Sequence, residues 1–362
     1  MKIHVVNKPG ELIPGEKAIR KANLLPEIAP LCPGQSLFIP GERPDSDRSI
    51  EVLAFSTKPI PEDIAKNFTY FSPYCYSFDT LGELIAPGFG CNNEGLRAEG
   101  CAPLLCLANF GAGGGFSPEL AHRLLSKEDT EKKLCDELIS TMKAEKYYGL
   151  QLCFNYLFPF DRDNYSDFVL RLSQLLHREG FILSLELPPP DLPALSSAFD
   201  YKALGQYADR LSLMFCRWAH AYSPPLPLAP LPYIRAALDK LCPIIASEKM
   251  LLGISGSGFD WRLPWRQGDS ARQISTPLAA QLAMSQRAEI RFDPRAQAPY
   301  FDYLDAIQLR RRVYFEDARS IAAKLDLLPE YALAGIALYS WEKSLRPGNA
   351  VLERLYTAEK LL

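Results

Sequence analysis

Residues 149–156 read Gly-Leu-Gln-Leu-Cys-Phe-Asn-Tyr, between a helical pattern at 137–145 and the turn-like Phe-Pro-Phe-Asp at 158–161. A short apolar run in this setting is typical of a buried parallel strand. Side chains alternate along a strand, so the even-numbered residues, which are apolar, are predicted to face covering helices. The odd-numbered residues form a more polar file: Gln151, Cys153 and Asn155. Asn155 lies nearest the carboxyl end of the strand, where the chemistry of a (β/α)8 barrel is found.

Strand and helix patterns alternate through the rest of the chain, which favours a parallel sheet closed into a barrel. The predicted strands are 49–56, 70–78, 103–110, 149–156, 181–187, 210–216, 250–255 and 335–340. The clearest predicted helices are 117–125, 165–177, 233–241 and 316–328. Ser117, Pro118 and Glu119 supply a cap, a first-turn proline and an acid in the order that marks a helix start.

Several motifs in this order resemble glycoside hydrolase family 18, in particular the bacterial spore cortex-lytic N-acetylglucosaminidases with LysM modules. The resemblance rests on Phe-Ser-Pro-Glu-Leu-Ala-His at 116–122, Gly-Phe-Asp-Trp at 258–261 and Phe-Glu-Asp-Ala-Arg-Ser-Ile at 315–321. It implies an α/β fold, a (β/α)8 TIM barrel over residues 49–362. It also implies a small α+β insertion between strands 7 and 8, at 262–313.

Residues 1–42 resemble a degenerate LysM module, with strands in Ile-His-Val-Val at 3–6 and Gly-Gln-Ser-Leu-Phe-Ile at 34–39 and the second helix at 16–25. The first helix of that module is expected to be missing, because Pro-Gly at 9–10 runs almost directly into Pro-Gly at 14–15. A linker is predicted at 43–48 from its proline and charges. LysM binds N-acetylglucosamine chains through loops beside its helices. Because one of these helices is expected to be missing, we expect this module to be a structural appendage.

The resemblance also predicts which residues would carry chemistry. In family 18 the fourth strand carries Asp-x-Asp-x-Glu; the last Glu is the general acid and the middle Asp orients the substrate acetamide, which itself attacks the anomeric carbon. Those positions hold Gln151, Cys153 and Asn155. The resemblance also implies a tyrosine and then an acid on the sixth strand, which are replaced by Cys216 and Arg217, and a floor tryptophan near the eighth strand, which aligns on Tyr339. An amide has no proton to donate near neutral pH, so no intact catalytic residue is expected.

A relocated acid is the first alternative. Asp79, Glu186, Asp260 and Glu342 follow or end predicted strands and could face the barrel mouth. The simpler interpretation is that they cap helices or pair with rim arginines: Arg217, Arg262 or Arg266.

Other side chains near the strand ends are candidates for binding a sugar, because aromatic faces stack on pyranose rings and polar groups bind hydroxyls. The candidates are Asn109, Glu186, Met214, Arg217, Trp218, Asp260, Trp261, Tyr339 and Trp341. The aromatic residues among them can equally fill the core or the rim. A reactive thiol at Cys153 or Cys216 is a further alternative, which requires a neighbouring base or cation.

Composition excludes several other classes. The net charge is −3 and the pI about 5.9, which gives no electrostatic footprint for nucleic acid. The nine cysteines are scattered without a Cys-x-x-Cys pair, so no metal site and no cofactor are expected. We expect no membrane span and no secretory signal, hence synthesis in the cytoplasm.

The leading hypothesis is therefore a catalytically inactive family 18-like barrel with a glycan-binding or structural role. Its expected partner is an N-acetylglucosamine-containing glycan or a spore coat protein, at the spore coat or cortex. The alternatives are an active N-acetylglucosaminidase or chitinase-like hydrolase with a relocated acid, and a reactive-thiol or protein-scaffold role.

Overall fold

A computed structural model describes residues 2–8, 11, 13, 15–23, 31–39, 48–339, 352 and 355–362. Eight parallel strands form a closed barrel in chain order. The strands are β1 (Ser49–Ser56), β2 (Tyr70–Pro73), β3 (Ala102–Ala108), β4 (Gly149–Cys153), β5 (Ile182–Leu187), β6 (Arg210–Leu213), β7 (Met250–Ser255) and β8 (Gly335–Tyr339). β8 pairs with β1 from Gly335 opposite Glu51 to Leu338 opposite Ala54, which closes the barrel. The predicted TIM barrel is confirmed.

The predicted strands are found, but four were drawn too long at their carboxyl ends. β3 ends at Ala108, two residues before its predicted end. β2 ends at Pro73, and Ser77–Phe78 pairs instead with Leu84–Ile85 in a separate hairpin. β4 ends at Cys153 and β6 at Leu213. The apolar pattern continues past these ends because the residues beyond them are also buried, so burial alone could not show where strand pairing stops.

Helices surround the barrel. Pro118–Leu125, Arg162–Arg178, Leu231–Leu241 and Ala318–Leu325 correspond to the four predicted helices, and the predicted 316–328 helix breaks into Ala318–Leu325 and Leu327–Tyr331. The cap predicted at Ser117 is present, since its Oγ accepts the Leu120 N–H at 3.1 Å. The other helices are Glu62–Ala65, Asn93–Ala98, Glu128–Ala144, Pro193–Ser196 and Tyr201–Tyr207, with 3₁₀ turns at Pro159–Asp161 and Ser247–Lys249.

The alternation predicted for β4 is confirmed. Leu150, Leu152 and Phe154 are buried in the apolar layer between the strands and the helices. Cys153 belongs to the separate apolar cluster inside the barrel. Gly149 starts the strand where β5 approaches closely, because a Cβ there would lie 2.6 Å from the Ile182 carbonyl oxygen.

An α+β insertion follows β7, as expected from the resemblance, but its sheet begins at Ser257 and not at residue 262 as predicted. Its antiparallel sheet has the order Arg272–Ser275, Ser257–Arg262, Arg310–Tyr314, Ala298–Leu304 and Arg291–Asp293, and the helix Thr276–Ser285 packs on it. Only Gly256 separates the end of β7 from the insertion strand Ser257–Arg262. The insertion sheet therefore lies at the carboxyl end of the barrel.

The N-terminal segment pairs Ile3–Val5 with Ser36–Phe38 and includes the helix Glu16–Ala22. It docks on the insertion and on the last barrel helix: the Ile290 N–H donates to the Pro33 carbonyl at 2.9 Å, and Arg319 donates to the Gly34 carbonyl at 3.0 Å. Its assignment as a LysM module stays a prediction. The predicted linker at 43–48 lies outside the described residues except for residue 48. Most of the segment 9–15, where the first LysM helix is expected to be missing, also lies outside them.

Near the other end of the chain, Thr357–Ala358 adds a short parallel strand beside β1. Among the helices of the described residues, none combines the length and the apolar character needed to cross a bilayer.

Candidate functional site

A cavity of about 270 Å³ opens at the carboxyl end of the barrel, where strand ends, the loops after β2 and β6 and the insertion meet. This volume lies at the lower end of the range of ligand pockets, roughly 300–1,000 Å³. Its described walls are Phe55, Ser56, Thr57, Tyr74, Glu186, Met214, Cys216, Arg217, Ala219, His220, Leu228, Ser255, Ser257, Phe259, Gln273 and Tyr339. Among the described residues, the barrel mouth therefore keeps a cavity despite the altered fourth strand.

Asn155 is held rigidly beside this cavity. The side chain of Asn109 accepts the Asn155 N–H at 3.0 Å and donates to the Asn155 carbonyl, also at 3.0 Å. The Asn155 side-chain amide then donates to Glu186 Oε1 at 2.8 Å. Asn109, a predicted sugar contact, is itself fully buried, so the structure places it behind the site as a support.

Glu186 supplies the only carboxyl group among the described residues of the cavity wall. It projects from β5 and is only 4% exposed. Burial raises the pKa of its carboxyl, and the Asn155 amide, the positive charge of Arg217 and Tyr339 only partly offset this rise. A carboxyl group in this setting holds its proton to higher pH than an exposed glutamate does.

Arg217 lies on the cavity wall after β6, partly exposed, where the resemblance places an acid. Its Nε donates to Met214 Sδ at 2.6 Å. The two predicted candidates Met214 and Arg217 are therefore brought together at the cavity with Glu186 and Tyr339.

Cys153 is buried and Cys216 is partly buried on the cavity wall, and the surroundings of both favour the protonated thiol. Cys153 Sγ lies 3.6 Å from Cys106 Sγ inside the barrel. Burial raises the pKa of Cys153 well above that of a free thiol, and burial raises the pKa of Cys216 to about 12. The thiolate is the nucleophilic form of cysteine, so this environment disfavours a reactive thiol.

Gln151 lies deeper still. Its amide donates to Ser212 Oγ on β6 at 3.3 Å, across the interior of the barrel. It is fully buried and does not line the cavity. Gln151 therefore fills the barrel interior, and of the three altered fourth-strand residues only Asn155 reaches a group at the mouth.

Tyr339 and Phe55 form the aromatic part of the wall. Their rings stack with centroids 4.8 Å apart and an interplanar angle of 12°. Tyr339 lies at the position where the resemblance implies a floor tryptophan, and both rings line the cavity.

Three other predicted sugar contacts lie away from the cavity. Trp261 is fully buried, and its indole N–H donates to the Ser223 carbonyl at 2.8 Å. Trp218 is also buried and donates to Asp191 at 3.2 Å. Asp260 is buried in the insertion, where it pairs with Arg272 and Arg311 at 2.9 and 2.8 Å, not with the rim arginines named from the sequence. These side chains hold the structure around the mouth.

Three more candidates remain, of which the structure describes only Asp79. Asp79 accepts the N–H groups of Leu81 and Glu83 at 2.8 and 2.9 Å, so it shapes the hairpin turn and does not line the cavity. Trp341 and Glu342 lie outside the described residues.

Sequence reasoning missed Phe55, Tyr74 and Gln273 as cavity residues. Phe55 could have been found, because it occupies an interior position near the carboxyl end of β1. Gln273 comes from the insertion, and no sequence signal brings that strand over the barrel. No cluster of three or more metal-binding side chains occurs within the described ranges.

Comparison with known proteins agrees with this architecture. The sequence profile of Glycosyl hydrolases family 18 matches residues 110–343. The cortical fragment-lytic enzyme of Bacillus subtilis is 31% identical over 75% of this chain and 64% of its own length, so the chain spans somewhat less than two thirds of that relative. The putative sporulation-specific glycosylase YdhD of Bacillus subtilis is 28% identical over 95% of this chain and 83% of its own.

Among solved structures, the spore cortex-lytic enzyme SleL of Bacillus megaterium superposes with a TM-score of 0.81 at 29% identity, covering 99% of this chain and 87% of that one. The profile match spans more than half of the chain, and the matched residues include strands β4 to β8 and the insertion. The chain belongs to glycosyl hydrolase family 18.

Proposed function

We propose that this protein binds an N-acetylglucosamine-containing glycan at the barrel mouth without hydrolysing it. One observation carries the proposal: the cavity is open, yet the family's acid position holds Asn155, whose amide is bound to Glu186 at 2.8 Å. The binding space is retained while the proton donor is replaced by a group that cannot protonate a leaving oxygen.

The remaining chemistry of the cavity supports this choice. Retaining and inverting glycosidases of the two-carboxylate type require a pair of carboxyl groups flanking the scissile bond. Glu186 has no such partner among the described residues of the wall. Substrate-assisted hydrolysis needs one acid and a polar group that orients the acetamide, but the orienting position holds Cys153, which lies against Cys106 inside the barrel.

A second candidate function is favoured by one specific observation. Glu186 is buried, faces the cavity and has a raised pKa, which are the properties of a general acid. It would serve as the relocated acid of an active N-acetylglucosaminidase. We prefer the binding role because Glu186 already accepts the Asn155 amide and no oriented carboxylate stands ready for the acetamide.

The names of the relatives suggest the setting. Two of the proteins compared above are described as acting on spore cortex or its fragments. We infer that the glycan bound here is of the peptidoglycan type and that the protein acts at the spore cortex or coat. The N-terminal segment, if it is a LysM module, would provide a second contact with the same polymer.

Calorimetric titration with N-acetylglucosamine oligomers tests the binding role. We expect saturable binding in the micromolar to millimolar range, which Tyr339→Ala weakens. An absence of heat at millimolar ligand, with the protein folded, would leave only a protein-scaffold role.

A further inference from the structure

Arg217 gives the cavity a cation. Its Nε–H is directed to the thioether of Met214, a weak acceptor, so the other N–H groups of the guanidinium keep their bonding capacity. Within the described part of the chain, no salt bridge joins Arg217 to a carboxylate, whereas the insertion arginines Arg311 and Arg312 are paired with Asp260 and Asp302. Arg217 is thus a cavity-lining cation that forms no salt bridge among these residues, and the strongest opposite charge acting on it is that of Glu186 on the same wall.

The position and the N–H groups of Arg217 suit it to binding an anionic ligand. Arg217 is partly exposed and lines the same cavity as the stacked Tyr339 and Phe55. A guanidinium offers parallel N–H groups that match the two oxygens of a carboxylate, and such a pair gains strength where water is partly excluded. An aromatic surface beside a guanidinium can hold a sugar ring and an acidic substituent of that ring at once.

We infer that Arg217 makes this cavity selective for an N-acetylated sugar that carries a carboxylate, such as N-acetylmuramic acid, over its neutral counterpart. This inference rests on the proposed glycan-binding function and names the ligand class of the same site. It follows from the reversed charge at position 217 and from the cavity that the guanidinium faces.

The nearby carboxyl group of Glu186 does not oppose this selectivity strongly. Glu186 lies deeper than Arg217, at 4% exposure, and its Oε1 is already bonded to Asn155. Burial raises the pKa of Glu186, which favours its neutral form relative to an exposed glutamate. The titratable and charged groups that act on it are Arg217, Tyr74, Cys75, Cys153, Tyr165, Cys216 and Tyr339.

The test is a titration of the full chain with N-acetylmuramic acid and with N-acetylglucosamine, which differ only in the lactyl ether. We expect the acidic sugar to bind about tenfold more tightly, the size of one charge-assisted hydrogen-bonding contact. Arg217→Gln should remove the preference, so that the ratio of the two affinities falls from about ten to about one. Arg217→Lys should keep part of it, because charge remains but the bidentate geometry is lost.

Arg178→Gln is the matched control, since Arg178 is exposed at the end of the helix Arg162–Arg178, on the opposite side of the barrel from the mouth. N-acetylneuraminic acid is included to separate two sources of the same chemistry: if it shares the Arg217-dependent preference, the site reads the carboxylate and not the lactyl group. Equal affinities for the acidic and neutral sugars, or a preference unchanged in both Arg217 variants, would overturn the inference. Failure of both sugars to bind would instead reject the proposed function.

Discussion

The side-chain amide of Asn155 donates a 2.8 Å hydrogen bond to the carboxyl group of Glu186, joining the ends of β4 and β5 at the barrel mouth. The residue at the family's acid position thus contacts the one carboxyl group of the described cavity wall. This hydrogen bond holds the Glu186 side chain in place. It also puts the Asn155 amide at the position from which the family's general acid would donate its proton. The predictions below follow from this arrangement and from the parts that support it.

Glu186→Gln should make the protein more stable at pH 8. Burial raises the pKa of Glu186 in the folded state, so ionisation favours the unfolded chain as pH rises through that pKa. The glutamine keeps the acceptor for Asn155 without the charge. Denaturant titrations across pH should show a gain at pH 8 that disappears below about pH 4, where the carboxyl is protonated in both states. A variant less stable than the parent at pH 8 would show that attraction to Arg217 outweighs burial.

Asn155→Asp should destabilise the protein at neutral pH. It replaces a donor by a second buried carboxylate beside Glu186, and two carboxylates in contact cannot both ionise without a large cost. The loss should be about 2–4 kcal/mol in free energy of unfolding at pH 7 and should shrink on acidification, as the pair takes up protons. Thermal and denaturant unfolding at pH 5 and pH 8 measure it, with Asn155→Gln as the uncharged control. A loss of stability that is the same at pH 5 and pH 8 would contradict the expected repulsion between the two carboxylates.

Asn109→Ala should cost about 2–5 kcal/mol of stability, because it strips hydrogen bonds from the buried main chain of Asn155 and from the Ser117 carbonyl. Asn92→Ala serves for comparison: Asn92 caps the helix Asn93–Ala98 through the Gly95 N–H, and its loss should cost about 1 kcal/mol. Equal costs in the two variants would mean that Asn109 does not support the site.

Lys324→Met should destabilise strongly, by about 3–5 kcal/mol, since it leaves the buried carboxylate of Glu316 without its partner. The two groups lie 2.6 Å apart, and burial raises the pKa of Glu316, which Lys324 only partly offsets. The double change Glu316→Gln with Lys324→Met should recover most of the loss, because no buried charge remains. Unfolding free energies of the single and double variants decide this; a double variant as unstable as Lys324→Met alone would contradict it.

Tyr339→Ala should weaken binding of N-acetylglucosamine oligomers about tenfold while Tyr339→Trp retains it, since the stacked face contributes aromatic contact with the ring. Calorimetry of both variants provides the measurement. The exposed Tyr222, which is absent from the described cavity wall, gives the control substitution Tyr222→Ala. Unchanged affinity in Tyr339→Ala would place the sugar elsewhere.

Much of this fold could be predicted from the sequence, because parallel strands buried on both faces leave a strong local pattern. The alternation at 149–156 placed Cys153 inside the barrel and Phe154 outside it, as observed. Strand ends were less accurate, since beyond Cys153 the main chain of Asn155 bonds to the side chain of Asn109 instead of to a neighbouring strand. A side-chain partner 46 residues away leaves no periodic signal.

The site was only partly predictable for the same reason. Glu186, Met214, Arg217 and Tyr339 were named because each ends or follows a strand, and the structure gathers them around one cavity. Trp261 and Asp260 satisfied the same rule, but they belong to the insertion strand Ser257–Arg262. Trp261 packs into the main apolar core and donates to Ser223 after β6, and Asp260 pairs with Arg272 and Arg311 of the insertion. Whether a residue after a strand continues into the mouth or into an inserted sheet depends on packing between distant segments.

The central claim is that the barrel holds a glycan without cleaving it. The most direct test incubates the purified protein with chitooligosaccharides and cortex muropeptides and follows the products by mass spectrometry, with a cortex-lytic family member as the positive control and Glu186→Gln alongside. We predict no product above the level seen with Glu186→Gln. Turnover by the parent protein that Glu186→Gln abolishes would contradict the claim and identify Glu186 as the acid.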